Sequence, residues 1–147
     1  LDTGGGAKKG TKMFHKNPFF VFNPDTIWTN NYLEEMKYLE KIYFKNKNPA
    51  LLLVSKKLSF DPSFTGDFNL SNNLISKDNK NEFIFTGLQI LDKKSLNLVN
   101  KNVFSMNEVW STLINEKKLY GIQSNQKFYH LNTKKIYEKI LSLNIIN

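Results

Sequence analysis

Hydrophobic residues fall into short runs without alternation, separated by segments whose apolar positions recur every three or four residues. Residues 18–22 (Pro-Phe-Phe-Val-Phe) and 50–54 (Ala-Leu-Leu-Leu-Val) predict strands buried on both faces. Between them Tyr32, Leu33, Met36, Leu39, Ile42 and Tyr43 stand at helical spacing, predicting a helix over 32–44 with Asn30 or Asn31 as its cap. Strand, helix, strand at this spacing predicts a βαβ unit with parallel strands.

The pattern then shortens. Residues 66–70 and 74–76, separated by Ser71-Asn72-Asn73, predict an antiparallel hairpin. Residues 82–91 predict a longer strand interrupted at Thr86-Gly87, where a missing side chain lets another group approach the backbone. Ser105 is placed to cap a helix over 106–116, with Glu108 completing a capping box. Residues 119–124 and 127–131 predict short strands. Thr133 caps a last helix over 134–143, with Ile136, Tyr137, Ile140 and Leu141 facing inward. Near the start, 7–14 predicts a short helix, preceded by a tight, backbone-exposed loop at Thr3-Gly4-Gly5-Gly6. No repeat or low-complexity linker divides the chain, so one α/β domain is expected.

Composition narrows the class. With 147 residues, 40% hydrophobic and 23% charged, the chain has the make-up of a folded domain. No apolar run approaches the roughly 18 to 20 residues of a membrane span, and the basic N-terminal segment is not followed by the apolar stretch of a signal peptide. Lack of cysteine excludes disulfides and thiolate metal sites. A cytoplasmic protein without a membrane partner is expected. The net charge of +8 raises nucleic acid as a partner, yet every basic residue is lysine. Arginine is the side chain that reads guanine edges and grips phosphates bidentately. Ordinary solvated lysine, with no nucleic-acid partner, is the expected reading.

Asp25 is the sharpest chemical candidate. Ligands of open α/β sheets sit outside the carboxyl ends of strands, and Asp25 lies just beyond one. A lone carboxylate there suits Mg²⁺, which takes one or two protein carboxylates plus substrate phosphates. Asn23-Pro24-Asp25 is equally good turn chemistry. The glycines at 4–6 leave bare backbone for a nucleotide but match neither the dinucleotide nor the P-loop fingerprint. Thr65-Gly66-Asp67 reads as a turn or as a sugar-contacting backbone. His15 and His130 are isolated, with no His-Glu-x-x-His spacing, and Trp28 and Trp110 are expected in the core.

Taken in order, these motifs resemble a known family. They are Thr3-Gly4-Gly5-Gly6, then 19–25 (Phe-Phe-Val-Phe-Asn-Pro-Asp), Gly66-Asp67-Phe68, and 85–91 (Phe-Thr-Gly-Leu-Gln-Ile-Leu). After them come 104–110 (Phe-Ser-Met-Asn-Glu-Val-Trp), Leu119-Tyr120-Gly121 and His130-Leu131-Asn132-Thr133. The series resembles the sugar-1-phosphate nucleotidyltransferases, in particular the short bacterial branch of N-acetylmuramate-1-phosphate uridylyltransferase and mannose-1-phosphate guanylyltransferase-like proteins. The resemblance implies a Rossmann-like, mainly parallel sheet flanked by helices, with a small antiparallel sugar-binding subdomain. It implies transfer of a nucleoside monophosphate from a nucleoside triphosphate to a sugar-1-phosphate, releasing pyrophosphate. By the family pattern, Asp25 is the catalytic carboxylate and holds Mg²⁺. Thr3, Gly4, Gly5 and Asn23 bind the nucleotide, and Gly66, Asp67, Thr86 and Gly87 bind the sugar.

Two departures from the family pattern stand out. His130 occupies the position where much of the family has an Asp as second metal ligand, and imidazole is a poor ligand for a hard cation. The family's triphosphate loop, with its catalytic Arg and Lys, lies upstream of the Thr-Gly-Gly motif. Residues 1–147 are therefore expected to form a partial domain, the C-terminal two-thirds of the enzyme, lacking the N-terminal strand and loop and inactive alone. A non-catalytic sugar-nucleotide-binding homologue and a nucleotide-sugar glycosyltransferase are the alternatives. The second usually carries Asp-x-Asp where this chain has Asn-Pro-Asp.

Overall fold

The computed structural model describes residues 2–15 and 18–143. In chain order it contains α1 (Thr3–Gly10), β1 (Phe19–Phe22), α2 (Leu33–Asn46), β2 (Ala50–Ser55), β3 (Asn69–Ser71), β4 (Leu74–Ser76) and β5 (Phe83–Leu91). A short α3 (Lys93–Leu96), then α4 (Met106–Asn115), β6 (Tyr120–Ser124) and α5 (Lys134–Leu141) follow. The described strands form one six-stranded sheet in the order β1-β5-β2-β6-β4-β3, with helices on both faces.

The unalternating run of β2 is explained by its central place. Ala50 and Leu52 pack with Leu39, Ile42 and Tyr43 of α2 on one face. Leu51 and Leu53 pack with Val109, Trp110 and Leu113 of α4 on the other. All four β2 residues are fully buried, so period-2 geometry delivers apolar side chains to two cores at once. The similar run of β1 has a different fate. Its one partner among the described residues is β5, so β1 is an edge strand; Phe19 to Val21 are half-buried and Phe22 is 42% exposed.

The α/β sheet with flanking helices is as expected, but its pairing is mixed rather than mainly parallel. β1 and β2 do run in the same direction, as a βαβ unit requires, yet β5 lies between them and is antiparallel to both. Of the adjacent pairs, only β2 and β6 are parallel. The hairpin explains this: β3 and β4 turn through Asn72 and Asn73, both with left-handed φ (50° and 63°), and the chain then returns down the sheet as β5. Asparagine tolerates that conformation better than most residues, and two such residues in succession make a hairpin turn.

Other local expectations change for identifiable reasons. Thr3 to Gly6 is not a loop but the start of α1, capped by the Asp2 carboxylate, which accepts from Thr3 N at 2.6 Å. Neither Asn30 nor Asn31 caps α2: residues 30–32 form a 3₁₀ turn that continues into the helix without a side-chain cap. Ser105 does cap α4, but Glu108 forms an ion pair with Lys101 at 2.8 Å instead of closing a capping box. In α5 Thr133 caps as expected and Ile136 and Ile140 are buried, while Tyr137 and Leu141 stand about half exposed (48% and 51%). Residues 127–131 form only isolated bridges, Phe128 to Ser59 and His130 to Thr26. Among the described residues no helix is long and apolar enough to cross a membrane.

One buried polar tie fixes α2 to the end of β5. Tyr43 Oη donates to Asp92 Oδ2 at 2.8 Å, while Asp92 Oδ1 caps α3 by accepting from Ser95 N at 2.7 Å. Burial first, and the carboxylate second, push the Tyr43 phenol up to about 12. Replacing Tyr43 by Phe removes one of the two partners of a buried carboxylate. Urea denaturation of the Tyr43→Phe variant is expected to show a loss of about 1–2 kcal/mol.

Candidate active site

The site grows out of an irregularity in β5. Opposite β2, the register passes from Gln89 to Phe85 while the partner advances only from Leu51 to Leu53, so β5 bulges around Thr86 and Gly87. Thr86 repairs the interrupted ladder: its buried hydroxyl donates to Leu52 O at 2.9 Å and accepts from Leu88 N at 3.3 Å. Gly87 has φ +96°, and its carbonyl accepts from Asn23 N at 2.9 Å. A Cβ at Gly87 would lie 2.6 Å from Asn23 Cβ. The bulge thus holds the turn after β1 directly against the sheet.

That turn carries Asp25. The next residue, Thr26, is buried and donates its hydroxyl to Thr86 O at 2.8 Å. Its Oγ1 also lies 3.5 Å from His130 Nδ1. The 127–131 segment crosses the end of the sheet, with Leu131 N donating to Asp25 O at 2.7 Å and Ile27 N to Tyr129 O at 3.0 Å. Asp25 and His130, 105 positions apart in sequence, are brought together: Oδ2 lies 3.6 Å from Nε2. The Asp25 side chain remains 48% exposed, whereas His130 is 19% exposed and packs against the rings of both Phe128 and Phe64.

Asp61 joins this cluster through Asn132, the residue after Leu131, although no local pattern marks it. Asn132 Nδ2 donates to its Oδ2 at 2.8 Å and Ser63 N to its Oδ1 at 2.9 Å. Hydrogen bonds from Ser63, then from Asn132, hold its carboxyl below the usual range, and the His130 charge adds a smaller pull in the same direction.

Beside the turn a cavity of about 280 Å³ opens between α1, β5 and α4, lined by Thr3, Asn23, Phe85, Gln89, Asn107 and Trp110 among others. Thr3 and Asn23, both expected to bind nucleotide, therefore meet in one place. Gly4 and Gly5 do not line it. Their N–H groups both donate to Phe104 O, at 3.0 and 3.1 Å, and a Cβ at either would collide with Phe104 or Asn102. Of the expected sugar contacts, Gly66 lines a separate cavity of about 440 Å³ with Lys56, Phe64 and residues 79–82. Asp67 is half-buried and accepts from Phe85 N at 2.9 Å; burial raises its carboxyl against the opposing pull of that N–H and of Lys77. The Thr86 hydroxyl is buried and committed to the bulge. His15 is exposed and distant in role; Trp110 is core, while Trp28 is half-buried against Phe22 and Tyr32.

Among the described residues no three His, Cys, Asp or Glu side chains stand close enough to hold a metal ion by themselves. The donor set at the turn is one half-exposed carboxylate facing an imidazole. It fits a hard cation only as a single-carboxylate anchor, with the remaining oxygens coming from phosphates and water, which is the way Mg²⁺ is commonly held. The His130 imidazole, 3.6 Å from that carboxylate, is a poor ligand for such a cation.

Comparison with known proteins supplies the fold's relatives. No family model and no curated protein matches the chain. Solved structures do. HddC from Yersinia pseudotuberculosis, complexed with GMP-PN, superposes with a TM-score of 0.71 at 20% identity, over 97% of this chain and 62% of its own. The inositol-1-phosphate CTP transferase from T. maritima gives 0.66 at 15% identity, over 99% and 64%. UDP-glucose pyrophosphorylase complexed with UDP-glucose gives 0.69 at 15%, over 97% and 61%. The chain shares its fold with these proteins, a mixed sheet flanked by helices. At these identities the likeness concerns the fold, and the chain spans about three-fifths of its neighbours' lengths.

Two outcomes test this geometry. Gly87→Ala puts a Cβ into both an unfavourable φ and Asn23, and is expected to lower stability by about 2–3 kcal/mol in thermal or urea unfolding. The second concerns acid. Because the folded state lowers the Asp61 pKa, Asp61 binds its proton less tightly folded than unfolded. Its contribution is complete above the unfolded value near 3.8 and is lost as pH falls through the lower folded value. Comparing wild type with Asp61→Asn from pH 6 down to 2 should show the difference in stability shrinking over that window.

Proposed function

We propose that the protein containing this chain is a sugar-1-phosphate nucleotidyltransferase. An oxygen of the sugar-1-phosphate attacks the α-phosphorus of a nucleoside triphosphate. The new P–O bond forms as the bond to the bridging α–β oxygen breaks, and pyrophosphate leaves with the displaced electron pair. One observation carries the reading. In a fold shared with nucleotidyltransferases, the expected carboxylate Asp25 is fixed at the carboxyl end of β1 and beside the cavity that joins Thr3 to Asn23.

The chemistry asks for position and charge neutralisation more than for a general base. Asp25 would hold Mg²⁺, which when bound offsets the charge of the reacting phosphates. His130, packed against two phenyl rings and beside Thr26, would act as a positioning residue for the carboxylate. Thr3 and Asn23 would meet the nucleotide where it adjoins the sugar, at the end of the cavity nearest Asp25. The order of the sequence motifs supports a uridylyltransferase acting on N-acetylmuramate-1-phosphate as the finer reading, with a soluble cytoplasmic enzyme as its setting. A second reading, a sugar-nucleotide-binding homologue without turnover, is favoured by the imidazole opposite Asp25.

The test uses the full-length protein with Mg²⁺, UTP or another triphosphate, and a panel of sugar-1-phosphates, following pyrophosphate release. Turnover is expected, and Asp25→Asn should reduce it about 100-fold or more with little change in melting temperature. Binding without turnover would favour the second reading. Turnover indifferent to Asp25→Asn would remove Asp25 from the mechanism.

A further inference from the structure

Gln89 is 3% exposed, in the middle of β5, yet it lines the cavity next to Asn23. Trp110 Nε1 lies 3.1 Å from its Oε1. An indole N–H only donates, so the carboxamide must turn its oxygen to Trp110 and its NH₂ elsewhere. No protein acceptor reaches that Nε2 among the described residues. Nor is any buried side-chain nitrogen or oxygen left unsatisfied among the described residues. The Nε2 therefore opens onto the cavity.

The donor is held rigidly. β5 is hydrogen-bonded to β1 and β2 on its two sides. Trp110 is wedged edge-on against Phe85, with ring centroids 4.9 Å apart, and against Phe68 at 5.7 Å. The cavity around it is polar but almost uncharged: Thr3, Asn23, Ser105 and Asn107 line it with two aromatic rings, no lysine does, and Asp2 is its one ionisable side chain. Such a lining suits hydroxyl and carbonyl oxygens on an apolar ring better than it suits phosphate.

We propose that Gln89 is a specificity-determining residue, donating from Nε2 to an acceptor oxygen on the sugar moiety of the sugar-1-phosphate, with Trp110 as the positioning residue that sets its orientation. The inference rests on the reading under Proposed function and adds to it the group that selects the sugar. A fixed, desolvated donor rejects a ligand lacking the matching acceptor far more strongly than an apolar wall rejects a small change in size.

The test is made on the full-length protein with glucose, mannose, N-acetylglucosamine and N-acetylmuramic acid 1-phosphates, and with single-position deoxy analogues of whichever binds. In wild type, the Gln89 side-chain ¹⁵N–¹H₂ resonances should shift with the sugar-1-phosphate and not with inorganic phosphate. Removing one particular hydroxyl or carbonyl should weaken binding at least tenfold by calorimetry. Gln89→Glu keeps an oxygen for Trp110 but replaces the donor by an acceptor, and is expected to abolish that tenfold preference. Unmoved Gln89 resonances during sugar binding, or an unchanged preference in Gln89→Glu, would overturn the assignment while leaving the proposed function standing. If wild type binds none of the panel, the functional reading fails and the inference falls with it. The resonance measurement needs no variant, so a misfolded Gln89→Glu would not protect the idea.

Discussion

The contact on which the site depends is the one between Gly87 and Asn23. β5 has to run antiparallel between β1 and β2 and also let the turn after β1 lie against it. A regular strand cannot do both, because side chains leave each face at every second residue. The bulge solves the conflict by taking extra residues into β5. It puts a glycine with φ +96° where the turn approaches and a threonine hydroxyl where the ladder loses a partner. Asn23 N then bonds Gly87 O, Thr26 Oγ1 bonds Thr86 O, and the 127–131 segment adds its own bonds over the top. Asp25 owes its position to backbone and hydroxyl contacts on either side of it, and its own carboxylate stays about half exposed beside His130.

What could be read from the sequence follows from where local pattern and tertiary context agree. β2 was legible because it is buried on both faces and its sequence says so without ambiguity. α4 and α5 were legible through caps that the structure uses, Ser105 and Thr133. The run at 18–22 looks the same as β2 in sequence, but its burial depends on how many neighbours it has, which no local pattern records. The Thr-Gly-Gly-Gly segment was misread because glycine is normally taken as a loop signal. Here Gly4 and Gly5 are needed for close approach to Phe104 while still adopting helical geometry, a requirement set by a residue about 100 positions away.

The site shows the same division. Asp25 was marked by its position after a strand, and Thr86-Gly87 by a glycine that does not belong in a strand interior. The roles proved different: Gly87 shapes the approach, and the Thr86 hydroxyl repairs the ladder. Asp61 and Gln89 carried no comparable mark. A carboxylate in a polar loop and a glutamine in an apolar strand become informative only through Asn132, Ser63 and Trp110, their partners in space.

The distribution of charge gives a reason for the division of labour at the site. The chain carries a net charge of +8, but its lysines gather elsewhere: Lys8, Lys12 and Lys93 line a cavity between α1 and α3, and Lys56 and Lys80 line the one at Gly66. The cavity at Asn23 has none, and Asp25 and Asp61 stand at the turn beside it. A triphosphate brought to this point would meet carboxylates and neutral amides rather than ammonium groups. Its charge must then be met by a cation held at Asp25 or by groups outside the described residues, since like charges at such spacing in a partly desolvated site repel strongly. The neutral cavity suits oxygens that carry no formal charge. On the proposed reading, phosphate handling and sugar selection would then separate onto adjacent surfaces, joined at Asn23.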